Sequence, residues 1–268
     1  MPATTVRGIA MHYETFGSGD PLVLIPYLSA DHACYAFQTP EYSDHFTCVA
    51  VDLRGAGESD KPEGPYSTEQ YADDVAALLG DLGIDRAHVA GVSLGGATAM
   101  WLAAKHPELV ASLSLHSTWP KTDPFLAAVI RSWQVMTEGL GSVAEFLIRG
   151  GFPWCFTPEM FAAKPGFVSG LEAFVRSRPA QPVDAFLRQT EAVLGHDVEA
   201  QLGRIGAPTL VTFGRWDLVT SPRFAPALTG GIKGAELVVF EHLSHLGLHE
   251  DAPGFNQVTL EFLARQKL

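Results

Sequence analysis

Cysteine is scarce and poorly placed for cross-linking. The 268 residues contain three, Cys34, Cys48 and Cys155, an odd and widely spaced set with no C-x-x-C pair. Neither a disulfide framework nor a cysteine-based zinc site is expected, and each thiol reads as a small buried hydrophobe. No apolar run approaches the roughly 18 residues that span a bilayer. The stretch Met1-Pro2-Ala3-Thr4-Thr5-Val6-Arg7 lacks the charged-then-apolar layout of a secretory signal, so a cytoplasmic location is the expectation. Basic residues are outnumbered: 18 Lys and Arg face 30 Asp and Glu, a formal charge of −12 with no basic cluster. Nucleic acid and membrane surfaces are therefore not expected as partners. The histidines form no H-E-x-x-H or other clustered ligand pattern, so neither a metal nor a cofactor is expected. Internal repeats, low-complexity tracts and linkers are missing as well. What remains is an ordinary globule, long enough for one large core or a core with an insertion. Its expected partner is a small-molecule substrate, and it is read as a monomer or homodimer.

The periodicity alternates. Residues 4–16 read as a hairpin turning at Gly8. Leu22-Val23-Leu24-Ile25 is a continuous apolar run of the kind that forms a strand covered on both faces, and Phe46-Thr47-Cys48-Val49-Ala50-Val51-Asp52 reads as a second strand of the same kind. Ser67 is placed as an N-cap with Gln70 closing a capping box, and Tyr71, Val75, Leu78, Leu79 and Leu82 recur at helical spacing behind it. Further strands are expected over the run ending at Val92, over Leu109 to Leu115, over Pro208 to Gly214 and over Leu237 to Phe240, with a closing helix from Phe255 to Gln266. Strands alternating with helices imply a mostly parallel central sheet flanked by helices. Between about residues 119 and 198 the strand-like runs vanish, while aromatics such as Trp119, Trp133, Phe146 and Phe152 crowd in. The expected organisation is an α/β core, 1–118 and 199–268, interrupted after its sixth strand by a helical cap, 119–198.

One stretch organises the rest. Gly91-Val92-Ser93-Leu94-Gly95 joins a buried strand to a helix and matches G-x-S-x-G, the pattern of a sharp turn that exposes a strained serine at a helix N-terminus. Free N–H groups and the helix dipole favour a developing anion there. Such a short pattern also arises by chance, as a glycine-rich loop with an incidental serine. A serine hydroxyl needs a base, and the base an orienting acid. Ligands bind at the carboxyl ends of parallel strands, so both partners should follow strands. Gly214-Arg215-Trp216-Asp217 follows one and Glu241-His242-Leu243-Ser244-His245 follows the last.

With these in hand the chain resembles the α/β-hydrolase family over nearly its whole length. The order Ser…Asp…His is that family's order. The resemblance places the triad acid at Asp217 in a G-x-x-D loop and the base at His245, at the head of a His-x4-Glu stretch ending in Glu250. The run Asp52-Leu53-Arg54-Gly55-Ala56-Gly57-Glu58-Ser59 is similar to the family's loop after its second core strand. His242 reads as a polar loop residue, and His249 as lying inside the turn into the last helix. Asp52 and Asp60 read as structural or surface groups, and Arg54 as half of a buried ion pair in that loop.

The resemblance also implies an oxyanion hole from the backbone N–H of Leu94 and of Leu28. Many family members carry His-Gly where this chain has Pro26-Tyr27, and enol-lactone hydrolases share that departure. Tyr27 has two readings, a buried structural phenol or a group at the pocket mouth that meets substrate. Most of the cap aromatics read as the cap's own core, and Trp119, nearest the core strand, is the one expected to line the substrate pocket. The expected activity is hydrolysis of a carboxylic ester or lactone of a small, fairly apolar compound through an acyl-enzyme. Serine at position 93 argues against dehalogenase or epoxide-hydrolase chemistry, which uses a carboxylate in this family. The alternative is C–C bond hydrolysis of a dienoate or β-diketone by the same triad, whose pocket should be polar and draw on Arg131, Arg149, Arg176 or Arg188. A non-catalytic ligand-binding relative and a cofactor-free oxygenase of N-heterocycles stand behind these.

Overall fold

A computed structural model describes residues 3–268. Eight strands form one sheet in the order β1-β2-β4-β3-β5-β6-β7-β8, where β1 is Ala3–Val6, β2 Ile9–Phe16, β3 Asp20–Ile25, β4 Phe46–Val51, β5 Ala87–Val92, β6 Val110–His116, β7 Thr209–Gly214 and β8 Glu236–Phe240. The hairpin β1–β2 is antiparallel, β2 runs antiparallel to β4, and every pairing from β4 to β8 is parallel. Arg7 and Gly8 both take positive φ, 48° and 82°, at the hairpin turn, the two-residue geometry that matches strand twist.

Burial explains the composition of the centre. Every residue of β5, β6 and β7 is buried, as expected of strands covered on both faces. Helix α1, Thr68–Asp81, buries Tyr71, Val75, Leu78 and Leu79. Ser67 caps it by accepting from the Gln70 N–H at 3.0 Å. The reciprocal half of the expected capping box does not form: Gln70 Oε1 is buried without a partner. Helix α2, Leu94–Lys105, is almost wholly buried, and its small residues Gly95, Gly96, Ala97, Ala99 and Ala103 allow that close approach.

Between β6 and β7 the chain is helical. Helix α3, Pro124–Leu140, starts at the Asp123 N-cap and stops at Gly141 in the left-handed region; α4, Pro165–Ser177, and α5, Val183–Leu194, follow. A π-helical turn, Leu147–Gly151, and short helices lie between α3 and α4. Lys121 and Asp197 pair as an isolated antiparallel bridge at the two ends of this excursion. Helix α6, Ala225–Gly231, links β7 to β8, and α7, Ala252–Leu263, closes the described chain. No helix among the described residues is long and apolar enough to cross a membrane. Cys34, Cys48 and Cys155 are free and buried.

Candidate active site

Three strand ends supply three side chains to one place. Ser93 sits between β5 and α2 with φ 55° and ψ −115°, a conformation L-residues rarely adopt and one that costs on the order of 1–3 kcal/mol. The corner is held on both sides: the Ser93 N–H donates to the His116 carbonyl at 2.9 Å, and Thr118 Oγ1 donates to the Ser93 carbonyl at 2.9 Å. The flanking glycines are steric requirements. A Cβ at Gly91 would strike the Gly95 carbonyl, and one at Gly95 would strike the carbonyls of Ile25 and Pro26 at the end of β3.

His245 follows β8 and brings Nε2 to 3.1 Å from Ser93 Oγ. Its Nδ1 lies 2.9 Å from Asp217 Oδ2, from the loop after β7. All three residues are buried, and Ser93 retains 7% exposure. Asp217 is fully engaged. Its Oδ1 accepts the N–H groups of Val219 and Thr220 at 2.8 and 2.9 Å, and its Oδ2 accepts the Thr220 hydroxyl at 2.8 Å as well as facing His245. Burial presses this carboxyl upward, but the His245 imidazole and the Thr220 donors outweigh it and hold the group below the usual carboxylate range. Thr220 was not visible in the sequence as a site residue, because a threonine after an aspartate marks many ordinary turns.

Ser93, His245, Tyr27, Leu28 and Trp119 line one chamber of 60 Å³. In the loop after β3 the positive φ falls on Ser29, at 62°. Among the described residues, neither the Leu28 nor the Leu94 N–H has a hydrogen-bond acceptor, the condition a donor to a developing oxyanion must meet. Trp119 is 1% exposed and donates its indole N–H to Thr122 Oγ1 at 2.8 Å. Tyr27 is half-buried and lines the chamber, and its hydroxyl lies 3.1 Å from His249 Nε2. That contact joins residues 222 positions apart and had no sequence signal.

The neighbouring groups separate cleanly. His242 is exposed and pairs with Asp251. Arg54 forms a buried two-point ion pair, but its partner is Asp74 on α1 rather than a residue of its own loop. Asp60 is exposed and accepts from the Ala10 N–H. Glu250 holds the histidine loop to the helical excursion, one oxygen accepting the Thr157 N–H and hydroxyl and the other the Ser244 N–H.

Asp52 gathers two histidines that sequence spacing did not group. His12 from β2, His32 from the loop after β3 and Asp52 after β4 each bring one ligand atom within 4.8 Å of the others. In chemical terms such a set can hold a cation. Here both Nδ1 atoms face the carboxylate, at 3.0 and 2.9 Å, and the N–H groups of His32 and Glu58 donate to the same two oxygens. Burial opposes both charges of the His32–Asp52 pair, but their hydrogen bond prevails, raising the imidazole pKa and lowering that of the carboxyl. The cluster fastens the loops after β3 and β4 to strand β2.

Comparison with known proteins adds the family. Residues 16–252 match the α/β hydrolase fold family. The 3-oxoadipate enol-lactonase 2 of Acinetobacter baylyi is 31% identical over 263 residues, covering 97% of this chain and 96% of that protein. A candidate carbamate hydrolase of Stutzerimonas stutzeri is 29% identical, covering 96% and 97%. The crystal structure of the enol-lactonase from Burkholderia xenovorans superposes with a TM-score of 0.89 at 28% identity, over 98% of this chain and all of that one (100%).

Proposed function

The chain belongs to the α/β-hydrolase fold family and is a hydrolase, and from that premise we propose that it cleaves a carboxylic ester or lactone of a small, fairly apolar compound through a Ser93 acyl-enzyme. One observation carries the reading: an unbroken line from Asp217 through His245 to Ser93, at 2.9 and 3.1 Å, on three strand ends under an apolar chamber. The two enol-lactonases among its relatives support the bond type.

Ser93 Oγ attacks the substrate carbonyl carbon as its proton passes to His245 Nε2. The carbonyl π electrons move onto oxygen, where the Leu28 and Leu94 N–H groups and the N-terminus of α2 meet the charge. Asp217 stays ionised, fixes the tautomer with the proton on Nδ1 and stabilises the imidazolium. The intermediate collapses, and the departing alkoxide takes the proton from Nε2. In a lactone that alkoxide remains tethered to the acyl group. Water then gives its proton to Nε2, attacks the acyl carbon and releases the acid, and Ser93 recovers its proton. Trp119 and Tyr27 shape the substrate space, and the apolar walls strengthen each of these electrostatic steps.

Residues 119–198 act in this account as a cap over a core of 1–118 and 199–268, latched by Arg178 to Asp31 at 2.8 Å and by Glu250 to Thr157. A cytoplasmic setting belongs to the same proposal, because three free buried thiols suit a reducing compartment. The C–C hydrolase reading asked for arginine in the pocket, and none of Arg131, Arg149, Arg176 and Arg188 lines the chamber. Arg149 and Arg176 pair with Glu145, and Arg188 with Asp184.

The test is steady-state hydrolysis of p-nitrophenyl butyrate and γ-butyrolactone by wild type and Asp217→Asn. The proposal predicts turnover of at least one, with kcat falling about 10⁴-fold in the variant. Equal rates in the two proteins would refute it.

A further inference from the structure

After β3 the chain makes a tight turn, Tyr27-Leu28-Ser29-Ala30, closed by the Ala30 N–H donating to the Tyr27 carbonyl at 3.1 Å. Ser29 takes φ 62° and Leu28 does not turn positive, the sign pattern of a type II turn. That type favours glycine at its third residue. Serine is better suited to type I, which differs by a rotation of the central peptide, Leu28–Ser29, through roughly 150–170°. Something has to hold the strained form. The flanks are tied: the Tyr35 hydroxyl donates to the Ile25 carbonyl at 2.7 Å, and Tyr27 meets His249. Among the described residues the central peptide makes one hydrogen bond. Its Ser29 N–H donates to Gln189 Oε1 at 3.2 Å, while the Leu28 carbonyl has no donor.

Gln189 comes from α5, 160 positions further along the chain, and is 1% exposed. Its amide is fixed by its other partners. Oε1 also accepts from Gln181 Nε2 at 2.9 Å, and Nε2 donates to the Arg54 carbonyl at 3.2 Å. Gln181 is anchored in turn, because the same Nε2 donates to the Gly55 carbonyl at 2.7 Å. Turned over, the Gln189 amide would set its NH₂ against the Ser29 N–H and the Gln181 NH₂, and its oxygen against the Arg54 carbonyl. The acceptor therefore faces Ser29. A flip of the turn to type I would swing the Leu28 carbonyl toward that acceptor and leave the two oxygens opposed.

We infer that Gln189 is a positioning residue for the oxyanion hole: it locks the Leu28–Ser29 peptide in the strained turn, so that the Leu28 N–H is aimed before charge develops on the substrate. The task of the Leu28 N–H rests on the serine-hydrolase reading; the restraint on the turn does not. Donors fixed in advance are the effective ones, because they need no reorganisation as the reaction proceeds. Here the fixing group is supplied by the helical excursion, so docking of α5 completes the site as well as covering it.

The test combines Gln189→Met, which keeps the side-chain length and removes both polar atoms, with Ser29→Gly, which removes the strain at that φ. Hydrolysis of p-nitrophenyl butyrate is measured beside inhibition by n-butylboronic acid, whose tetrahedral adduct with Ser93 presents an oxygen to the same donors. Gln189→Met should lower kcat roughly 10- to 100-fold, short of the 10²–10³ that loss of a donor costs, with KM within about twofold. The boronic acid Ki should rise by a similar factor. In the Ser29→Gly chain the same substitution should cost less than about threefold, because glycine holds the turn unaided. A loss that Ser29→Gly does not diminish marks a merely structural glutamine and overturns the inference, as does an unchanged kcat. Thermal unfolding reads the same four proteins without turnover: Gln189→Met should lower Tm by several degrees, and by clearly less in the Ser29→Gly chain. A wild type that neither turns over ester nor binds the boronic acid refutes the serine-hydrolase reading. The restraint then stands if the Tm losses differ and falls if they are equal.

Discussion

The Thr220 hydroxyl donates to the same oxygen of Asp217 that faces His245, at 2.8 Å beside 2.9 Å. It thereby fixes the rotation of the carboxylate and helps keep it ionised. Thr220→Val preserves shape and removes the donor. We expect kcat to fall about three- to tenfold and stability to fall by about 1 kcal/mol, read from ester hydrolysis and denaturant unfolding. An unchanged kcat would mean that the two backbone N–H groups orient Asp217 unaided.

Glu250 ties the His245 loop to Thr157, the N-cap of the short helix Pro158–Ala163, through three donors at 2.6–2.7 Å. Hydrogen bonds to a charged acceptor are worth roughly twice neutral ones. Glu250→Gln offers one oxygen and turns an NH₂ toward an N–H. The expected loss is about 2–3 kcal/mol, a drop of several degrees in Tm by calorimetry.

Glycine positions differ in what they tolerate. A Cβ at Gly95 collides with backbone at the end of β3, so Gly95→Ala should cost more than about 3 kcal/mol or misplace Ser93. Gly139 in α3 would meet nothing within 4 Å, and Gly139→Ala should stabilise by up to about 1 kcal/mol. Denaturant midpoints of the two variants should move in opposite directions.

Acid should unfold this protein partly through its buried histidines. Burial lowers His196 to about 4 and His116 to about 3, well below the ordinary 6.5. Above pH 6.5 both are neutral in the folded and unfolded chain and contribute no pH dependence. Below it the unfolded chain takes up protons that the folded one refuses. Stability is therefore lost progressively as pH falls from 6.5 toward 4, by on the order of 3 kcal/mol for His196 alone. His196→Gln should flatten the fall in Tm over that window, whatever it costs at pH 8. A slope identical to wild type would contradict this.

Much of this was legible in the sequence because the signals are local. Continuous apolar runs marked the central strands, and the glycines around Ser93 marked the turn because each removes a specific backbone collision. Asp217 and His245 lie in loops that follow strands, and the resemblance to the α/β-hydrolase family singled them out there. What stayed hidden was pairing across the chain. Tyr27 with His249, His12 and His32 with Asp52, and Arg54 with Asp74 are contacts between distant segments, and no periodicity encodes them. Gln70 shows the converse: a local pattern whose second hydrogen bond the folded chain does not make.

The central claim is that Ser93 is an activated nucleophile, and intact mass after a fluorophosphonate probe addresses it most directly. Wild type is compared with Ser93→Ala and His245→Ala. The account predicts a single adduct on wild type and none on either variant. No adduct on wild type, or one that persists on Ser93→Ala, would contradict it.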